Sequence, residues 1–270
     1  SKILSDFWGH DMYLGATILL PKGFDEHPNV HYPVVYEQSH FGLGAPRGFT
    51  TENQPIPPQY KKILDDYNLE DGYAFQQQYN SAQFPSMIVV NFQHPTPYYD
   101  DSYAVNSANN GPYGDAIMKE LIPYLENHYR IIQQPYARVL TGGSTGGWES
   151  MALQLYHPDF FGGTWTLYPD PLDFRHFQLM DLTKDTNAFY ASKFTMPFDA
   201  NSDWKQSIRH MLRDNEGQPI RTSMDASWTE EVLGTHARSG DQMEIFDAEL
   251  GARGVDGTPG PLWDTLTRKI

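Results

Sequence analysis

The sequence predicts an α/β protein built on a doubly wound, mostly parallel sheet. Three observations predict it. Short apolar runs are bounded by turn residues, helical patterns lie between them, and at one place a strand, a glycine-rich turn and a helix follow one another without a gap. The strands are expected at Met12–Leu20, Pro33–Tyr36, Met87–Phe92, Arg138–Thr141 and Thr164–Tyr168. Val34-Val35-Tyr36 and Ile88-Val89-Val90 are continuously apolar rather than alternating, as strands covered on both faces of a parallel sheet require.

The clearest helix spans Asp115–Tyr129, with Ile117, Met118, Leu121, Ile122 and Leu125 on one side and Asp115 in the favourable first turn. Pro123 predicts a kink in it or a break into two pieces. A second helix should start near Gly146, carry Trp148, Met151, Ala152 and Leu155, and stop at His157-Pro158. From Pro169 onward Asp, Asn, Ser, Gly and short aromatic clusters dominate, and convincing strand runs disappear, with Gln242–Phe246 the one short candidate. Residues 1–170 are therefore read as the core, and 171–270 as a lid-like or inserted tract of the same domain.

Composition narrows the function. The 19 Lys and Arg against 34 Asp and Glu leave a net charge of −15, which repels phosphate backbones and anionic headgroups, so no nucleic-acid partner is expected. The acidic pairs Asp65-Asp66 and Asp100-Asp101 are scattered, as on a solvated acidic surface. Zero cysteines exclude disulfides, thiolate metal sites and a cysteine nucleophile. The ten histidines show no H-E-x-x-H spacing, and no metal is assigned. Mean hydropathy is −0.57, and no run approaches the ~18 apolar residues of a membrane span. Ser1-Lys2-Ile3-Leu4-Ser5 has neither an initiator Met nor a signal-peptide core, so the chain is expected to be cut from something longer.

The motif that carries chemistry is Gly142-Gly143-Ser144-Thr145-Gly146, a G-x-S-x-G turn between the strand at Arg138 and the helix through Trp148. In such an elbow small residues relieve crowding at a strained strand-to-helix turn and leave the serine hydroxyl exposed as a nucleophile. A phosphate-binding loop would need Gly-Lys-Ser/Thr where this turn has Gly-Gly-Trp. Acyl transfer also needs backbone donors for the oxyanion. The Thr145 amide is the first candidate, and Phe41, in the His40-Phe41-Gly42-Leu43-Gly44 loop after Pro33–Tyr36, is the second.

With Tyr32-Pro-Val-Val-Tyr before an HxG loop, Glu120-Leu-Ile-Pro-Tyr-Leu-Glu on the helix, and Gly143-Ser-Thr-Gly-Gly followed by Tyr156-His-Pro-Asp-Phe-Phe, the chain resembles the esterase D-like branch of the α/β-hydrolases. That family includes feruloyl esterases, enterochelin esterases and mycolyltransferases. The resemblance covers about Met12 to Asp170. It implies Ser144 as nucleophile, the Thr145 and HxG-loop amides as oxyanion hole, no cofactor, and an ester or related acyl substrate. It also favours a periplasmic or secreted location.

The triad order in this fold is Ser, then Asp or Glu, then His. The histidines after Ser144 are His157, His176, His210 and His236. His157 fits helix-end packing, while His176 and His210 lie in the lid-like tract. Asp170 with His236 is one completion; the other places the acid, the histidine and the last one or two strands beyond Ile270, in a C-terminal segment or a second chain. The tyrosines of Gln93–Tyr103 either line a pocket mouth for an aryl or sugar ester or pack a loop. The reading is a serine hydrolase of carboxylic esters acting through an acyl-enzyme on Ser144. The alternatives are a non-catalytic binding protein of the same fold with an incomplete triad, and an acyltransferase.

Overall fold

The structure is a computed structural model that describes residues 1–40, 44–177, 180–191, 207–264 and 269–270. Two compact units divide the chain. The first comprises Ser1–His94 and Gly114–Pro169, the second Pro95–Tyr113 and Asp170–Ile270.

The first unit holds a five-stranded sheet of β1 (Gly15–Leu19), β2 (Val34–Gln38), β3 (Ile88–Gln93), β4 (Arg138–Ser144) and β5 (Gly163–Pro169), in the order β1-β3-β2-β4-β5. β1 runs antiparallel to β3, and the other neighbours are parallel. The mostly parallel α/β sheet expected from the sequence is therefore present, with each of the five runs a strand. Val34 and Tyr36 of β2 and Ile88, Val90 and Phe92 of β3 are buried, as their continuous apolar runs require. Among the described residues no strand pairs with the outer side of β5, where Trp165, Leu167 and Tyr168 are exposed.

Both faces of the sheet are covered. On one, Phe75 and Tyr79 of α3 (Gly72–Tyr79) cluster with Val89, Leu19, Val35 and Phe49. α1 (Lys2–Trp8) and α2 (Pro58–Asp66) precede it in the chain. On the other face lie buried Ile117, Leu121, Ile122 and Leu125 of the long helix. The kink predicted at Pro123 takes the form of a π-helical turn, Ile117–Leu121, running into α4 (Ile122–His128). Pro123 sits in the first turn of α4, where its missing N–H costs least. Beneath α4 Glu126 accepts two bonds from the Arg138 guanidinium, at 2.6 and 2.9 Å, and one from the Tyr36 hydroxyl at 3.1 Å.

The second unit contains α6 (Ser223–Leu233) and α7 (Gln242–Leu250). It also contains a hairpin of β6 (His210–Arg213) and β7 (Pro219–Thr222), with Thr222 closing a capping box with Asp225 at the start of α6. One expectation is corrected here. Gln242–Phe246 forms the first half of α7, not a strand, since its neighbours Asp247–Glu249 are also buried and a run buried all round has no period to read. The C-terminal tract also holds a hairpin of two four-residue strands, half polar and too short to show an alternation, with Met211, Leu212 and Ile220 exposed; Asp214 organises its turn by accepting from the Glu216 and Gln218 amides.

Candidate active site

β4 lies between β2 and β5 and delivers Ser144 to its carboxyl end, where α5 (Thr145–Tyr156) begins at the next residue. Ser144 is exposed, with φ 56° and ψ −123°, a conformation that side chains other than glycine's rarely adopt. Its hydroxyl does not cap the helix. Thr145 is fully buried, and as the first residue of α5 it belongs to the turn whose amides lack intrahelical acceptors and carry the positive end of the helix dipole.

Close packing holds the elbow in place. A Cβ on Gly146 would collide with the Gln38 carbonyl, so only glycine lets the first turn of α5 press against the end of β2. Gln38 pairs in register with Gly142, which starts the loop after β2 beside the elbow. Further along α5, the Ser150 hydroxyl donates to the Gly147 carbonyl at 2.9 Å and lies 3.1 Å from the Thr166 hydroxyl of β5.

Two features here escape sequence reasoning. The first is Tyr168. Gly143 pairs with Leu167 and Ser144 with Pro169, so Tyr168 is the extra residue of a bulge and takes φ 33°. Its ring lies over Gly143, with the hydroxyl 2.7 Å from where a Cβ would stand, and the side chain is 78% exposed. The alternation of β5 gave no sign of a bulge. The second feature is a set of buried polar residues. Glu149 of α5 is wholly buried with Oε2 3.8 Å from Nε2 of buried His94, which follows β3. Gln38 is 2% exposed, and among the described residues neither atom of its amide has a hydrogen-bond partner. The signal for this set was polar residues at the ends of three apolar elements.

The remaining predicted residues fall elsewhere. Phe41 lies outside the described residues. Asp170 and His236 belong to the second unit. Asp170 follows β5 and accepts a bond from the Tyr103 hydroxyl at 2.8 Å. His236 is exposed in a loop at φ 61°, with Nδ1 3.0 Å from the Thr235 hydroxyl. Tyr99 and Tyr103 are buried in that unit, Tyr99 donating to the Ala237 carbonyl at 2.6 Å, so their hydroxyls serve packing. Tyr98 is the exposed one, with the Arg238 guanidinium 3.7 Å from its ring centre.

The model of a family described as "Putative esterase" matches residues 10–222. Among solved structures a ferulic acid esterase is similar at 21% identity, over 63% of this chain and 55% of that one, with a TM-score of 0.42. A ferulic acid esterase from Anaeromyces mucronatus is similar at 23%, over 59% and 54%, with a TM-score of 0.36. An S-formylglutathione hydrolase from Agrobacterium tumefaciens is similar at 13%, over 63% and 55%, with a TM-score of 0.40. The chain spans about half the length of these structures. No curated protein matches it.

Proposed function

The chain belongs to the esterase family whose model spans residues 10–222, and from that premise we propose that it hydrolyses a carboxylic ester through an acyl-enzyme formed on Ser144. The observation that carries this reading is the exposed serine held at positive φ between β4 and α5. In the reaction the Ser144 oxygen attacks the acyl carbon and its proton passes to a histidine. The alcohol leaves with a proton, and water releases the acid and restores the serine. The Thr145 amide, first in the dipole-bearing turn, is proposed as one oxyanion donor and the Phe41 amide as the other.

His236 with Asp170 is the completion this chain offers in the order Ser, acid, His; a segment beyond Ile270 or a second chain is the other. The exposed Tyr168 ring over Gly143 favours an aryl ester, because it offers a flat apolar surface within one residue of the nucleophile.

A fluorophosphonate probe tests the reading, since labelling needs an activated hydroxyl. The expected result is a single adduct on Ser144, absent in Ser144→Ala, together with turnover of a p-nitrophenyl ester that the variant loses almost completely. An unlabelled but folded protein would overturn it in favour of a binding protein, and an active Ser144→Ala would overturn the nucleophile. Ester products in place of acid, when an alcohol acceptor is added, would identify an acyltransferase.

A further inference from the structure

The second unit holds a cavity of its own, about 150 Å³, at α6, α7 and the loops that follow them. Its walls include Ser227, Glu231, His236, Glu244, Asp247 and Trp263. A space of this size admits a molecule about as large as benzene.

The lining is polar in an unbalanced way. Glu244 and Asp247 are buried, and buried Glu230 stands behind them, its Oε2 accepting the Glu244 amide at 2.8 Å. Backbone amides supply the bonds to the two wall carboxylates, from Ser239 to Glu244 at 3.0 Å and from Leu262 to Asp247 at 2.7 Å. Among the described residues none of the three is bridged to a lysine or arginine, and the charges acting on Asp247 are those of Glu244 and Glu230. Buried carboxylates without a cation are costly. Ser227, 4% exposed, adds a hydroxyl with no hydrogen-bond partner among the described residues. The lining also includes the buried indole of Trp263, a ring system that attracts cations.

The arrangement also distinguishes between kinds of cation. No three of these side chains bring ligand atoms within 4.8 Å of one another, as a preformed metal cage requires. One charged head with a short apolar body fits better.

We propose that this cavity binds a small primary ammonium ion, its N–H groups donating to Asp247, Glu244 and the Ser227 hydroxyl and its alkyl body lying against Trp263. The proposal does not rest on the esterase reading. Burial and the neighbouring carboxylates push Asp247 and Glu230 up to about 7. At neutral pH the cluster therefore retains protons that an incoming ammonium displaces. Asp225, Glu231, Glu249, Asp241, His236 and the Arg238 guanidinium are the other charged or titratable groups of these helices and their connecting loop.

The test is calorimetry of the intact chain with n-butylammonium chloride at pH 7 in phosphate and in MOPS, neither of which carries a primary amine, with tryptophan fluorescence followed alongside. The expected result is saturable binding, an indole signal, and a heat that differs between the buffers because protons are released. Asp247→Asn keeps the oxygen that accepts from Leu262 and should bind about tenfold more weakly or worse, as loss of a charged hydrogen bond requires. If that variant fails to fold, Glu244→Gln makes the same comparison. Ser144→Ala should bind normally. Absence of saturation, equal binding of 1-pentanol, unchanged affinity in the folded carboxylate variant, or displacement by Mg²⁺ at lower concentration would each overturn the proposal.

Discussion

At Ser144 the backbone is held where glycine alone is comfortable, at φ 56° and ψ −123°. Such a position costs on the order of 1–3 kcal/mol, and the neighbours that enforce it are the Gly146 contact with Gln38 and the bulge at Tyr168. Ser144→Gly should therefore be more stable than the parent by about 1 kcal/mol in urea melts, net of glycine's unfolded-state entropy, while losing ester turnover. Gly143→Ala probes the other side of the turn. Its new methyl would stand 2.7 Å from the Tyr168 hydroxyl and 2.8 Å from the ring, but the exposed ring has room to swing away. The expected stability loss is about 1 kcal/mol, whereas kcat/KM on an aryl ester should fall about 10- to 100-fold because the wall beside the nucleophile has moved. An aliphatic ester serves as control and should lose less.

The element that fixes β4 to the helix above it is the Arg138–Glu126 pair, both residues nearly excluded from solvent and bound through two guanidinium nitrogens. Burial, reinforced by Glu126, pushes the Tyr36 phenol far above its ordinary value, so this hydroxyl stays protonated and donates. Arg138→Met should cost about 3–5 kcal/mol in chemical denaturation, because Glu126 is left as an uncompensated buried charge. The double variant with Glu126→Leu should recover most of that loss. Failure to recover would place the cost in the packing of the arginine stem on Phe160, whose ring centre lies 3.9 Å from the guanidinium. At this scale the sequence was most legible where burial had a period or a turn chemistry. The Gly-rich elbow and the two continuously apolar runs of β2 and β3 were readable, but α7 was not, since a run buried on every side looks the same as helix or strand.

For the molecule as a whole the acidic balance of −15 meets a second unit that buries several of its carboxyls. Asp247 and Glu230 are pushed up to about 7, Glu244 is raised, and Glu249, enclosed with the Asn110 amide donating to it, is raised well above the ordinary carboxylate range, in each case mainly by burial. Their unfolded values lie near 4, so between about pH 4 and 7 the native chain binds more protons than the unfolded one. Stability is then present at the acid end of that window and falls as pH rises through it. Thermal melts should be higher at pH 5 than at pH 8, and Asp247→Asn should flatten the difference by raising the pH 8 value. A melt higher at pH 8 would contradict the assignment. Exposed carboxylates that are lowered, such as Asp173 beside Arg175, Asp225 in the α6 cap and Asp256, act in the opposite sense only at pH values below about 4.

The sequence by itself determined the α/β sheet, the places of its five strands, the strand–turn–helix around Ser144 and the kink at Pro123. Each of these follows from local rules: apolar runs, glycine where atoms crowd, proline where a donor is missing. Only the tertiary structure decided that the Pro95–Tyr113 loop belongs with the C-terminal hundred residues, that Tyr168 turns back over Gly143, and that Gln38, His94 and Glu149 are buried. These depend on register, bulges and contacts between residues far apart in the chain, which no local pattern encodes. The carboxylates that line the second unit's cavity show the same division, since α7 reads as a polar-apolar mixture until its fold encloses Glu244, Asp247 and Glu249 together.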